Sequence, residues 1–139
     1  MFDVEGYVGY LPSDKSIYVV YRGSETVRNW ITNFDATQDA FAKWPECGCE
    51  VHAGFQKAMD SVYDDVLAEV KRLQSVYPAY SIKTTGHSLG AAMAALNAMY
   101  FLKDGIQVNM INFGQPRVGD TKYATFSNSI LSQFRVVHY

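Results

Sequence analysis

Phe55, Met59, Val62, Val66, Val70, Leu73 and Tyr77 recur at spacings of three and four, which places them on one face of a long amphipathic helix that must stop before Pro78. Ahead of it, residues 4–10 and 16–22 are short runs rich in Val, Ile and Tyr. The segment Leu11-Pro12-Ser13-Asp14-Lys15 between them has turn chemistry, so the pair predicts a hairpin. Behind the helix the period alternates. A brief strand is expected over 81–85, an apolar helix over 89–103 ending at Asp104-Gly105, and a strand over 106–113. A helix capped by Asp120 then runs to about residue 131, and the last run, 134–139, is strand-like. Strands alternating with helices predict the α/β class, a mainly parallel sheet flanked by helices. No repeat, low-complexity tract or linker interrupts the chain, so residues 1–139 read as one unit.

Composition narrows this picture. With 139 residues, 48% of them hydrophobic and 19% charged, the chain has the makings of a single packed core and not of a disordered segment. Its formal charge of -2 supplies no basic field, so nucleic acid is not an expected partner. The longest weakly polar run, 88–102, contains Ser88 and Asn97 and is too short for a membrane span. It predicts a buried helix instead. Met1-Phe2-Asp3-Val4-Glu5 has no basic region followed by an apolar stretch, which leaves an intracellular protein or a piece of a longer one.

The chemistry concentrates at Gly86-His87-Ser88-Leu89-Gly90, between a predicted strand and the apolar helix. That is the setting of a nucleophile elbow, where a sharp turn exposes the central serine and crowds the residues two before and two after it. Ser88 would be the nucleophile, and the Leu89 amide, at the positive end of a helix, an oxyanion donor. Ala91, Ala92, Ala94 and Ala95 would let that helix lie close to the sheet.

Five motifs then occur in a familiar order. Tyr21-Arg22-Gly23-Ser24, Asn29-Trp30-Ile31, Val51-His52-Ala53-Gly54-Phe55, the serine elbow, and Phe113-Gly114-Gln115-Pro116-Arg117-Val118-Gly119 together resemble the fungal-type class 3 triacylglycerol lipases. The resemblance covers nearly the whole chain. It implies an α/β-hydrolase fold truncated at both ends, ester hydrolysis at a lipid–water interface without a cofactor, and a secreted full-length parent. It also assigns Ser24 as the second oxyanion donor and residues 25–34 as a lid. Within that segment Val27, Trp30, Ile31 and Phe34 form an apolar stripe.

The pattern breaks after the serine. A hydrolase of this kind needs an acid and then a histidine further along the chain. Asp104 and Asp120 do not match the family's acid, and His138 does not match its histidine. The 139 residues alone are therefore expected to be nearly inactive, with the acid and histidine supplied by a longer parent. A binding module that has lost its chemistry, and a feruloyl or phospholipid esterase of the same family, are the competing readings. His87 and His52 are expected to be structural. Cys47 and Cys49, about 6.6 Å apart if they lay in a regular strand, are expected to be free or paired elsewhere and not to bind metal.

Overall fold

The computed structural model describes residues 5–23 and 37–136. Strands β1 (Glu5–Leu11) and β2 (Ser16–Arg22) form the expected antiparallel hairpin. After them come β3 (Gln38–Ala40), β4 (Glu50–His52), α1 (Ala53–Val76), β5 (Ser81–His87), α2 (Leu89–Lys103), β6 (Asn109–Phe113), α3 (Thr121–Ile130) and β7 (Ser132–Val136). The main sheet runs β1-β2-β5-β6-β7, and every pairing beyond the hairpin is parallel. Strand β5 is central. The carboxyl ends of β2, β5, β6 and β7 therefore open on a single edge, where open α/β sheets place their ligands.

Helix α1 carries the predicted stripe. Phe55, Met59, Val70 and Leu73 are buried, and Val62 and Val66 are half-buried against the same core. Its start is set by His52, whose Nδ1 accepts from the Phe55 amide at 3.0 Å and whose ring stacks on Phe55 at 3.9 Å between centroids. His52 is thus an N-cap, satisfying one of the amides that a helix leaves unpaired in its first turn. Replacing it with alanine should lower unfolding stability by about 1 kcal/mol, and His52→Asn, which can also cap, should recover part of that. A urea titration of both variants checks this.

Helix α2 is apolar all round, and every residue from Leu89 to Phe101 is buried. A helix of that kind can only be an interior element. It lies on β2, β5 and β6, with α1 packed against it, and Ala91, Ala92, Ala94 and Ala95 are all at most 2% exposed. Among the described residues no helix is long and apolar enough to cross a membrane. Gly105, at φ 81°, turns the chain out of α2, and the Ile106 amide reaches back to the Phe101 carbonyl. Strand β6 consequently begins at Asn109 and not at 106, although Ile106 and Val108 still contribute to the core.

The loop between β3 and β4 was not anticipated as an ordered unit. Its Pro45–Cys47 turn is a single 3₁₀ turn, and the two strands it joins have three residues each, too short for a period to register. Side chains fasten it to α2, with Trp44 Nε1 donating to the Met99 carbonyl at 2.8 Å and Lys103 paired with Glu46. The expectation for the cysteines was wrong: Cys47 and Cys49 are disulfide-bonded to each other. The estimate of 6.6 Å assumed an extended chain. Cys47 closes the 3₁₀ turn and Gly48 adopts φ 59°, which draws the two Cα atoms to 5.2 Å, within bridging range.

Candidate active site

Ser88 sits at the carboxyl end of the central strand and at the N-terminus of α2, with φ 56° and ψ -119°. A non-glycine residue in this region costs of order 1–3 kcal/mol and persists only where its surroundings over-determine it. Burial supplies the offset, since each large apolar side chain buried in α2 contributes about 1.5–3 kcal/mol. Hydrogen bonds then fix the turn. The Ser88 amide donates to the Phe113 carbonyl at 3.0 Å, and the Ser88 carbonyl accepts from Ala91 at 3.0 Å.

The two glycines of the elbow leave no room for a side chain. A Cβ on Gly86 would lie 2.3 Å from the Gly90 carbonyl oxygen, and one on Gly90 would lie 2.2 Å from that of Tyr21. Strand β2 and the first turn of α2 are thus in backbone contact. The end of β2 also approaches the serine side of the turn, because a Cβ on Gly23 would meet the His87 carbonyl oxygen at 2.7 Å.

Two features give Ser88 chemical potential. Its hydroxyl makes no capping bond to α2, so it is not committed to the role a serine usually has at this position. Leu89, the first residue of the helix, has an amide that no intrahelical carbonyl accepts, next to the positive end of the helix dipole. A hydroxyl in this setting can attack a carbonyl once a base removes its proton, and the amide can hold the oxyanion that forms.

The other expected site residues divide sharply. Ser24, Val27, Trp30, Ile31 and Phe34 lie outside the described residues, as does His138. Asp104 lies at the far end of α2, about 24 Å from Ser88 at the helical rise. It accepts from Tyr63 Oη at 2.5 Å and pairs with Lys43 at 3.1 Å. Partial burial works against its charge, but these two donors outweigh it and hold the carboxyl below the usual carboxylate range. Asp120 caps α3, accepting from the Tyr123 amide at 2.8 Å. Asp104 is thus remote from Ser88, and Asp120 is engaged as a helix cap. His87 is exposed at the end of β5, opposite Phe113 in the register.

One group near the elbow was missed. Asn112, wholly buried on β6 beside Gly86, donates from Nδ2 to the Ala91 carbonyl at 2.7 Å and to Gln115 Oε1 at 2.8 Å. A polar residue in the run Met110-Ile111-Asn112-Phe113 of a predicted strand was the available signal. Tyr21 makes a comparable contact from β2, its hydroxyl donating to Asn97 Oδ1 on α2 at 2.5 Å, and burial pushes its pKa upward.

A strained serine between a central parallel strand and a buried helix defines an α/β-hydrolase-type elbow. The chain belongs to the class 3 lipase family, whose model, "Lipase (class 3)", matches residues 18–139. It is 38% identical over 139 residues to a secreted mono- and diacylglycerol lipase of Fusarium solani, covering 97% of this chain and 40% of that protein. Among solved structures it resembles lipase II from Rhizopus niveus, with a TM-score of 0.91 at 31% identity, covering 98% of this chain and 53% of that one. A fungal lipase–inhibitor complex described as a model for interfacial activation superposes with a TM-score of 0.83 at 32% identity, covering 97% and 52%. The chain spans about two-fifths of the length of its Fusarium relative.

Proposed function

We propose that the full-length protein is a carboxylic ester hydrolase that cleaves acylglycerols at a lipid–water interface. The observation that carries this is the strained Ser88 at the carboxyl end of the central strand, its hydroxyl not spent on capping the helix behind it. Its Oγ attacks the ester carbonyl, and the Leu89 amide holds the resulting oxyanion. The alcohol departs with a proton, leaving an acyl-serine that water hydrolyses. The backbone contact between Gly23 and His87 supports Ser24 as the second donor, because the chain leaves β2 against the elbow. The general base and its acid are assigned to the remainder of the full-length protein, since Asp104 and Asp120 are engaged elsewhere.

Residues 25–34 are proposed as a lid carrying Val27, Trp30, Ile31 and Phe34 on its apolar face. Such a lid opens when an interface binds the open state better than the closed one. Secretion of the full-length protein is supported by the Cys47–Cys49 disulfide, a bond that persists in oxidising compartments. The test is hydrolysis of a short-chain triacylglycerol on either side of its solubility limit. The rate should jump once droplets form, and Trp30→Ala should reduce the emulsion rate more than the rate on dissolved substrate. A smooth curve with no effect of Trp30→Ala would instead identify an esterase of soluble substrates.

A further inference from the structure

Strain at Ser88 must be held in place at the moment of reaction, and the residues that hold it are not confined to the elbow. The strand beside it contributes two successive attachments. The Phe113 carbonyl accepts from the Ser88 amide at 3.0 Å, and the side chain of Asn112 donates to the Ala91 carbonyl at 2.7 Å. Ala91 already accepts within the helix, so the Asn112 bond is an addition to the first turn and not a replacement for a ladder bond. Asn112 Nδ2 also donates to Gln115 Oε1 at 2.8 Å, with Met110 Sδ at 3.2 Å. Gln115 follows Gly114, whose own amide donates to the Val136 carbonyl at 2.7 Å and whose φ is 61°. A continuous tie thus runs from β7, through the turn after β6, to the first turn of α2.

We propose that Asn112 is a positioning residue for the nucleophile elbow: its amide, oriented by Gln115, fixes the first turn of α2 so that the Leu89 amide and the Ser88 hydroxyl keep one mutual geometry. This deepens the ester-hydrolase reading and rests on it. Asn112 touches no reacting atom, and its effect runs through the direction in which the helix N-terminus points. A hydrogen-bonded oxyanion tolerates little misplacement, and an error of about 1 Å in a catalytic group costs on the order of 100-fold. Stability responds differently. Asn112 Oδ1 is buried and has no hydrogen-bond partner among the described residues. Leucine, nearly the same shape, removes that orphaned acceptor but also withdraws the donor from the Ala91 carbonyl and Gln115 Oε1, so Asn112→Leu should lose some stability, and its unfolding midpoint is read beside its labelling rate.

The experiment uses the full-length protein and a nitrophenyl alkylphosphonate, which transfers its phosphorus to the serine oxygen and releases nitrophenolate. For Asn112→Leu the second-order labelling rate should fall about 10- to 100-fold, with kcat for a soluble ester falling in step and KM and the pH profile unchanged. Gln115→Met, at a half-buried loop position, tests the same tie without entering the core. It should slow labelling about fivefold, the equivalent of one hydrogen bond. The double variant should be no slower than Asn112→Leu alone, because both substitutions break one tie. Labelling at the wild-type rate in Gln115→Met, or in a folded Asn112→Leu, would overturn the proposal while leaving Ser88 as nucleophile. A wild-type protein that labels at some other residue would overturn the ester-hydrolase reading and this proposal together.

Discussion

Replacing Ser88 by alanine in the full-length protein should lower kcat for ester cleavage by about 10⁶-fold, the loss seen when the nucleophile is removed from a serine hydrolase that still folds. What remains would come from binding and from the oxyanion donors, about 10³ to 10⁴ over water. The fold should not suffer. The Ser88 hydroxyl makes no capping bond to α2, and alanine at φ 56° carries the same backbone penalty as serine, so the two proteins should differ by no more than about 0.5 kcal/mol. Ser88→Gly should go further. Glycine adopts positive φ without a Cβ penalty, so this variant should be equally dead but more stable than wild type by about 1–2 kcal/mol. Chemical denaturation of the three proteins, read beside their turnover, would separate a strained catalytic serine from an ordinary turn residue. A structural serine would show neither the loss of rate nor the gain with glycine.

Gly90→Ala should be severely damaging for the addition of a single methyl group. The added Cβ would sit 2.2 Å from the Tyr21 carbonyl oxygen, 2.7 Å from the Tyr21 carbonyl carbon and 2.9 Å from that of Arg22. All three are backbone atoms of a strand bonded on both sides, by β1 and by β5, so no side-chain rotation can relieve the clash. Either β2 or the first turn of α2 has to move by about an ångström. The expected cost is about 3 kcal/mol or more, a large part of the 5–15 kcal/mol that holds a domain of ordinary stability together. Whatever folds should also have lost about 100-fold in rate, because the same shift displaces the Leu89 amide. Gly9→Ala is the control. Its Cβ would meet only the Tyr7 ring, at 3.8 Å, and it should unfold within about 0.5 kcal/mol of wild type. Unfolding midpoints of the two variants decide the point, and equal midpoints would show that the contact between β2 and the elbow is not tight.

What could be read from the sequence was whatever repeats or whatever a motif concentrates. Seven apolar positions fixed α1, an apolar run broken only by Asn97 before its closing Lys103 fixed α2 to the residue, and the glycine spacing around Ser88 located the elbow. Contacts that depend on residues far apart in the chain left no such trace. Strands β3 and β4 have three residues each and exist because they pair with each other, while β4 is also stitched to the loop ahead of α3 through the His52 amide and the Val118 carbonyl at 2.8 Å. The Cys47–Cys49 bridge depended on one left-handed glycine that an extended-chain estimate does not contain. Asn112 has the same origin, since its partner on α2 is 21 residues away. A buried asparagine in a strand signals only that some polar partner must exist.

The central claim is that Ser88 is the nucleophile of an ester hydrolase, and peptide mapping of the full-length protein after reaction with a nitrophenyl alkylphosphonate tests it most directly. One phosphonyl group should be found per molecule, on the tryptic peptide that contains Ser88. Nitrophenolate should be released in equal amount, esterase activity should be lost in proportion, and Ser88→Ala should take up no label. Label on any other residue, or ester cleavage that survives in Ser88→Ala, would contradict the account.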